Sequence, residues 1–278
     1  MRDLSRDARL LSINGATIRK QGNLAEIIAA ISARGIGGIA PWRDQVEALG
    51  IKETGRLIRE HGLVVTGLCR AGLFTAEGRA GLARSLDDNR RAVDEAAAIG
   101  AQCLIMLGGG LEPGSRDIAS ARALARDGLA ELLPHARSAG VPLAIEPLHP
   151  MYAPDRSCIN TMAQANELCD ALGEGVGIAV DVYHTWWDPS LAREIARAGA
   201  KRILAFHISD WLVPTTDLLL DRGMMGDGVI DIRRIRGWVE AAGYTGLCEA
   251  EIFSERNWWQ RPMGEVLDTC AERFKRVC

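Results

Sequence analysis

The run VPLAIEP at residues 141–147 begins a series of short apolar segments that continues with GVGIAVD at 175–181, RILAFHI at 202–208 and GLCEAEIF at 246–253. These runs do not alternate apolar with polar residues, which is typical of strands buried on both faces of a parallel sheet. The segments between them place apolar residues at i, i+3, i+4 and i+7, the period of an amphipathic helix. This half of the chain is therefore predicted to alternate strand and helix.

The alternation extends through the first half of the chain, where strand candidates lie at residues 9–15, 37–42, 63–69 and 102–108. Eight strand–helix units in 278 residues predict a single (β/α)8 TIM barrel of the α/β class, with one domain over residues 1–278. The alternative is an open doubly wound sheet. That fold normally carries a GxGxxG turn after its first strand, and the corresponding segment here reads SINGATI, so the barrel is favoured.

The composition, with 47 % hydrophobic and 25 % charged residues, is that of an ordinary globular protein. A formal net charge of −3 gives no basic footprint and argues against a nucleic acid partner. The N-terminus is charged where a signal peptide needs an apolar core, and no apolar run reaches the roughly 20 residues that span a bilayer. Seven scattered cysteines without a CxxC pair suit a reducing compartment. We expect a cytoplasmic protein with no membrane partner.

Side chains that bind metals stand at the ends of the last four predicted strands: Glu146, Asp181, His207 and Glu251. The carboxyl ends of parallel strands meet at one edge of a barrel, so these side chains are expected to converge. Three oxygen donors and one nitrogen favour one divalent ion, Mn²⁺ before Mg²⁺ or Co²⁺, with Zn²⁺ also possible. The other interpretation pairs the carboxylates with nearby arginines, but three clustered carboxylates are costly without a cation.

The last strand leaves the identity of one ligand open. Glu249 and Glu251 are two residues apart and therefore point to the same side of the strand, so either could bind the ion. Glu251 is nearer the carboxyl end and is assigned the role. Glu249 is expected one layer deeper, where it would support a ligand.

A set of short motifs follows the predicted strands: AIEP ending at Pro147, Asp181-Val-Tyr-His184, His207-Ile-Ser-Asp210, the Gly-Asp-Gly turn at 226–228, and EAEIF ending at Phe253. In these motifs the chain resembles the xylose isomerase-like TIM barrel superfamily, in particular its sugar isomerase/epimerase group. That group includes ketose 3-epimerases, hydroxypyruvate isomerase and inosose dehydratase. The motifs are specific for the superfamily and weak for any one substrate.

The resemblance implies a mechanism. In the 3-epimerases the metal holds two adjacent sugar oxygens, and two metal-bound glutamates exchange a proton with carbon through an enediolate. Glu146 and Glu251 would then form the acid/base pair, and His184 would contact a substrate oxygen. The chain departs from the ketose 3-epimerase pattern at Val213, where those enzymes carry an arginine. Arg222, in the longer loop that follows, is the candidate to supply that cation.

Further contacts are expected from the loops after the strands. His149 is expected to overhang the metal as a third catalytic residue, and Tyr152 offers a hydroxyl to a polyol. Asp210 belongs to the His207 motif, and Trp187 is one of several loop tryptophans that would stack on a sugar or bury a dimer interface. Glu112 follows a glycine run, and its charge argues against a phosphate site there. The expected partner is a small unphosphorylated sugar or polyol, with a homo-oligomer or a small partner subunit left open.

The leading hypothesis is a metal-dependent sugar isomerase or epimerase. A lyase of the same superfamily would abstract the same proton and then expel a β-substituent, as in an inosose-type dehydratase or a 3-oxo-glycoside or C-glycoside deglycosidase. Endonuclease IV shares the barrel but needs a three-zinc cluster with histidines after the early strands, which the first four predicted strands do not supply.

Overall fold

The computed structural model describes residues 1–112 and 114–278, with Arg79 described in its backbone only. The strands are β1 (Leu11–Asn14), β2 (Gly38–Ala40), β3 (Val64–Val65), β4 (Leu68–Gly72), β5 (Leu104–Leu107), β6 (Leu143–Ile145), β7 (Val176–Asp181), β8 (Ile203–Ile208), β9 (Asp210–Trp211), β10 (Arg222–Gly223) and β11 (Cys248–Ala250). The helices are α1 (Leu24–Ser32), α2 (Arg43–Leu49), α3 (Ile51–Glu60), α4 (Gly78–Ile99), α5 (Ile118–Ser138), α6 (Met162–Leu172), α7 (Val182–Thr185), α8 (Leu191–Arg202), α9 (Ile232–Ala241) and α10 (Met263–Val277).

One parallel sheet contains nine of these strands, in the order β3-β2-β1-β11-β8-β7-β6-β5-β4. The predicted third strand is divided in two, because β3 pairs with β2 whereas β4 pairs with β5. A parallel bridge between Trp42 and Cys69 links the end of β2 to β4. The sheet is therefore a nearly closed barrel with eight strand positions, and the prediction of an α/β TIM barrel is confirmed.

The register of the parallel strands places the polar side chains at one end of the barrel. Asp181 at the end of β7 lies opposite His207 on β8, and His207 lies opposite Glu249 on β11. Glu146 and Glu251 directly follow β6 and β11, which end earlier than the sequence predicted. The carboxyl ends of four adjacent strands thus carry the metal-binding residue types, as the barrel architecture requires.

A short antiparallel hairpin interrupts the alternation after β8. Its strands β9 and β10 pair Trp211 with Arg222 and Asp210 with Gly223. The sequence predicts a long loop for this segment, because strands of two residues have no detectable period. The hairpin folds Arg222 back over the carboxyl end of the barrel, where its side chain is 3 % exposed. Among the helices of the described residues, none is long and apolar enough to cross a membrane.

The packing of α5 against the segment after β4 gives a stability prediction. A Cβ added at Gly128 would lie 2.3 Å from Cδ1 of the buried Phe74 ring. Alanine normally favours a helix over glycine by about 1 kcal/mol, but overpacking a core costs about 1–3 kcal/mol. We therefore expect Gly128→Ala to lower the free energy of unfolding by about 1 kcal/mol or more in a denaturant titration.

The matched control for this substitution is Gly237→Ala in α9. A Cβ at Gly237 would meet only the Met1 sulfur, at 3.7 Å, which is an ordinary contact. Helix propensity alone should then decide, and the free energy of unfolding should rise by up to about 1 kcal/mol. Equal stabilisation by both substitutions would contradict the packing of Phe74 on α5.

Candidate active site

Four buried side chains offer ligand atoms that all lie within 4.8 Å of one another: those of Glu146, Asp181, His207 and Glu251. His207 Nδ1 is 2.9 Å from Glu146 Oε1 and 3.7 Å from Glu251 Oε2. The structure thus brings together the four residues that the sequence predicted as ligands. Of the two glutamates on the last strand, it is Glu251 that belongs to this four-residue cluster.

Arg222 completes the cluster on the side of the hairpin. Its Nη1 donates to Asp181 Oδ2 at 2.9 Å and to Glu251 Oε2 at 3.2 Å. The guanidinium lies between two aromatic rings, 4.4 Å from the Tyr183 centroid and 5.2 Å from that of Phe253. Arginine pairing therefore does neutralise part of the cluster, but no hydrogen bond joins Arg222 to Glu146 within the described residues.

The electrostatics of the cluster fit a divalent cation. Four buried carboxylates, those of the cluster and Glu249, face one guanidinium and one imidazole, so the fully ionised set carries two negative charges in excess. Burial raises the pKa of Glu146. The hydrogen bond from His207 lowers this pKa, but the nearby carboxylates of Glu251 and Asp181 raise it again. Although burial opposes the charged imidazole, the surrounding carboxylates hold the pKa of His207 well above its ordinary value. A divalent ion would relieve both shifts, so this donor set suggests a divalent metal site.

Glu249 supports the cluster from the layer below. It accepts hydrogen bonds from Asn14 Nδ2 at 2.7 Å and Thr66 Oγ1 at 2.6 Å. Its Oε1 lies 3.4 Å from His207 Nε2, the nitrogen that points away from the other ligands. With a proton on Nε2 facing Glu249, Nδ1 is left as the unprotonated nitrogen that a metal requires. The expected supporting role of Glu249 agrees with this geometry.

This arrangement predicts the effect of Glu249→Gln. Removing the carboxylate charge that fixes the His207 tautomer should lower metal affinity by about ten- to a hundredfold. Calorimetric titration of the metal-free protein with Mn²⁺ measures the change. Glu194→Gln, at a buried carboxylate that bonds Asn166 in α6, is the control and should bind Mn²⁺ as the wild type does. Unchanged affinity in Glu249→Gln would contradict the supporting role.

His184 lies on the other side of Arg222. Its Nε2 is 2.9 Å from Arg222 Nη2, and its Nδ1 is 3.2 Å from the backbone N–H of His149. Both partners are donors, which disfavours the imidazolium form. Burial lowers the pKa of His184 to about 3. Asp181 raises this pKa, but the Arg222 guanidinium lowers it. His184 is therefore a neutral hydrogen-bonding group near neutral pH and not a general acid.

A pocket of about 170 Å³ opens over the cluster. Glu146 and Glu251 line it, together with His184 and Arg222, whereas Asp181 and His207 do not. The two carboxylates predicted as the acid/base pair are thus the cluster members that face the space a substrate would occupy. The remaining lining is Trp42, Cys69, Arg70, Ile105, Leu107, Leu148, Tyr152, Arg156, Leu219 and Phe253.

The other predicted contacts take different positions. Tyr152 lines the pocket and stands edge-on to His184, with ring centroids 5.7 Å apart. His149 is outside the lining and packs against Trp211 at 5.0 Å and Trp187 at 5.8 Å, so the structure does not bring it into the cluster. Trp187 donates its indole N–H to the His184 carbonyl at 2.8 Å. The catalytic role of His149 and the substrate contact of Trp187 stay predictions.

Asp210 and Glu112 also lie outside the lining. Asp210 is buried and accepts from the backbone N–H groups of Gly226 and Ile230, both at 2.9 Å, which fixes the Gly-Asp-Gly turn. Glu112 accepts from Ser120 Oγ at 3.0 Å near the start of α5. These contacts are structural, and the predicted substrate contacts of both residues are untested.

Arg70 and Trp42 also line the pocket. Trp42 is one of the loop tryptophans expected to stack on a sugar or bury a dimer interface, whereas Arg70 was not predicted as a site residue. Trp42 follows β2, and its indole N–H donates to Asn14 Oδ1 at 2.7 Å. Arg70 lies on β4, one residue past the predicted end of the third strand. A polar residue at a strand's carboxyl end was the signal that found the four ligands. Applied to the third strand, the same signal would have found Arg70.

Comparison with known proteins agrees with this geometry. The protein SMc04130 from Sinorhizobium meliloti 1021 is 59 % identical, with a TM-score of 0.96 over 98 % of this chain and 99 % of that one. An IOLI protein with a binding zinc atom is 19 % identical, with a TM-score of 0.81 over 94 % of both chains. The 3-keto-D-glucoside 4-epimerase YcjR from E. coli is 20 % identical, with a TM-score of 0.76 over 96 % of this chain and 99 % of that one.

The last two likenesses concern the fold alone. No curated protein matches the sequence. The family model for the xylose isomerase-like TIM barrel matches residues 27–273, which is most of the chain. The protein therefore belongs to the xylose isomerase-like TIM barrel family.

Proposed function

We propose that this protein is a divalent-metal-dependent isomerase or epimerase of a sugar or related polyol. The observation that carries the proposal is the position of Glu146 and Glu251, which are members of the four-ligand cluster and also line the pocket. Two carboxylates that face one substrate space can exchange protons with carbon next to a carbonyl. The resemblance to sugar isomerases and epimerases, and the likeness to a 3-keto-D-glucoside epimerase, support the same chemistry.

Glu146, Asp181, His207 and Glu251 would hold the ion. When bound, a divalent cation polarises a substrate carbonyl and stabilises the charge that develops on its oxygen. The rest of the chemistry falls to the chain. One of the two pocket-facing glutamates withdraws the proton next to the carbonyl, and the enediolate so formed receives a proton from the same glutamate or from the other.

The two glutamates have different electrostatic surroundings, which suits them to opposite roles in each direction of the reaction. Burial opposes the charge of Glu251, but Arg222 and His207 lower its pKa below the ordinary value. The pKa of Glu146 is raised, chiefly by burial. Arg222 and the neutral His184 would orient substrate oxygens, because both line the pocket beside Glu251.

The second candidate is the lyase, for which the walls of the pocket are the specific observation. Trp42 and Phe253 face each other edge to face with centroids 5.7 Å apart, and Tyr152 lines the same pocket. Aromatic walls can hold an aglycone ring as well as a sugar. Expulsion of a β-substituent after the first proton transfer would then give an unsaturated product.

The experiment that tests the proposal incubates the Mn²⁺-loaded protein in D₂O with ketoses, inososes and 3-oxo-glycosides, and follows the products by ¹H NMR. Deuterium next to a carbonyl in an epimer or an aldose–ketose isomer is the expected result. An unsaturated or released product without isomer would replace the isomerase by the lyase. Absence of exchange in every substrate class would contradict both.

A further inference from the structure

The pocket carries two arginines that the chemistry at the cluster does not use. Arg70 and Arg156 both line it, and both are half-buried, whereas its other charged residues are buried. The guanidinium of Arg70 lies 5.8 Å from the Trp42 ring centroid and has no hydrogen bond or ion pair within residues 1–112 and 114–278. Arg156 stacks 5.5 Å from the Tyr152 ring, and its ion pairing with the described residues is limited to a long contact with Asp155, at 3.9 Å.

These two cations destabilise one another. Burial lowers the pKa of Arg70, and the nearby guanidinium of Arg156 lowers it further, while the carboxylate of Glu146 acts in the opposite direction. A half-buried charge without a counter-ion costs free energy, and a like charge in the same pocket adds to that cost. An anion that enters the pocket would relieve both effects, so the pair is suited to a negatively charged ligand.

The other arginines of this region are already neutralised. Arg19 stacks on the same Trp42 ring, 4.7 Å from its centroid, but is paired with Asp44 at 2.7 Å and is absent from the pocket lining. Arg222 is committed to Asp181 and Glu251. Among the described residues, the arginines of the pocket without a close ion pair are therefore Arg70 and Arg156, and Glu146 and Glu251 are the carboxylates that share the pocket with them.

We propose that Arg70 and Arg156 bind an anionic substituent of the substrate, a carboxylate or a phosphate, in the pocket that Glu146 and Glu251 also line. The sugar part of this substrate class rests on the proposed function. The anion site rests on the two guanidinium groups alone. Arginine binds carboxylates and phosphates through two parallel N–H donors. The substrate would enter with its carbonyl toward Glu146 and Glu251. The expectation of an unphosphorylated sugar came from the glycine run near Glu112, which is not part of this pocket.

Calorimetric binding to the Mn²⁺-loaded protein tests this proposal with three probes that differ at C6: D-fructose, D-fructuronate and D-fructose 6-phosphate. An anionic probe should bind about tenfold to a hundredfold more tightly than fructose, the range of one charge-assisted contact. Arg70→Met and, independently, Arg156→Gln should remove this preference, so that the anionic probes bind such a variant no more tightly than fructose does. Arg70→Lys should keep part of it, because the charge remains without the paired donors.

Arg19→Gln is the matched control, since it removes one arginine from the same tryptophan and should leave the preference intact. Equal binding of all three probes to the wild type would overturn the proposal. A loss in Arg19→Gln as large as in Arg70→Met would overturn it too, because net charge would then explain the result. Tighter binding of fructuronate than of the phosphate would identify a carboxylate, and the reverse order a phosphate. Selective anion binding without deuterium exchange in any probe would support the anion site and count against the enolising function.

Discussion

Glu146→Gln is expected to lower the rate of solvent-deuterium exchange into a keto sugar by about 10²–10⁴-fold. Glu146 faces the pocket and belongs to the ligand cluster, and an amide cannot take a proton from carbon. The measurement is ¹H NMR in D₂O at saturating Mn²⁺, so that a weaker metal site alone does not account for the loss. Residual exchange within a few-fold of the wild type would contradict the acid/base role.

Two further substitutions separate proton transfer from metal binding. Asp181→Asn changes a ligand that does not line the pocket. Deuterium exchange in this variant should therefore recover substantially as the Mn²⁺ concentration is raised, whereas exchange in Glu146→Gln should not. Glu194→Gln replaces a carboxylate outside the pocket, at a buried residue that is 4 % exposed. The rate of deuterium exchange in this variant should equal that of the wild type. If excess Mn²⁺ restored deuterium exchange in Glu146→Gln, Glu146 would act as a metal ligand and not as an acid/base group.

Arg222→Met is expected to lower the free energy of unfolding of the metal-free protein by about 3–5 kcal/mol. The methionine would fill much of the space between Tyr183 and Phe253, but Asp181 and Glu251 would lose their buried counter-ion. A buried charge left without its partner is the reason for so large an effect. Denaturant titration followed by circular dichroism measures it.

The matched control for Arg222→Met is Arg197→Met. Arg197 also bridges two carboxylates, those of Asp170 and Glu194, but its side chain is 39 % exposed, so the loss should stay below about 1 kcal/mol. Arg222→Lys keeps the charge and should fall between the wild type and Arg222→Met. A loss under about 1 kcal/mol in Arg222→Met would contradict the role of Arg222 as the counter-ion that stabilises these two carboxylates.

The barrel and its ligand cluster could be predicted from sequence because both depend on short-range patterns. Buried parallel strands are continuous apolar runs, and the residue that follows such a run must lie at the carboxyl edge of the sheet. That rule alone brings Glu146, Asp181 and His207 together. It also favours Glu251 over Glu249, because Glu251 is nearer the edge, and the structure places Glu251 in the cluster.

The features that the sequence did not predict depend on contacts between distant segments. The hairpin of β9 and β10 has two residues in each strand, too few for any period, yet it buries Arg222 against the cluster. The break between β3 and β4 reflects pairing with different neighbours, which apolar composition does not record. The spacing of His149 from Glu146 did not reveal its packing either, because the contacts of its ring with Trp187 and Trp211 join separate loops.

The most direct measurement is a titration of metal-free protein with Mn²⁺ in D₂O, with bound metal and deuterium exchange into a keto sugar recorded on the same samples. We predict that exchange is absent at the start, rises with bound metal and saturates at one ion per chain, because the described residues hold one cluster of four ligands, two of which face the pocket. Exchange that is independent of bound metal, or a protein that binds no ion, would contradict the account.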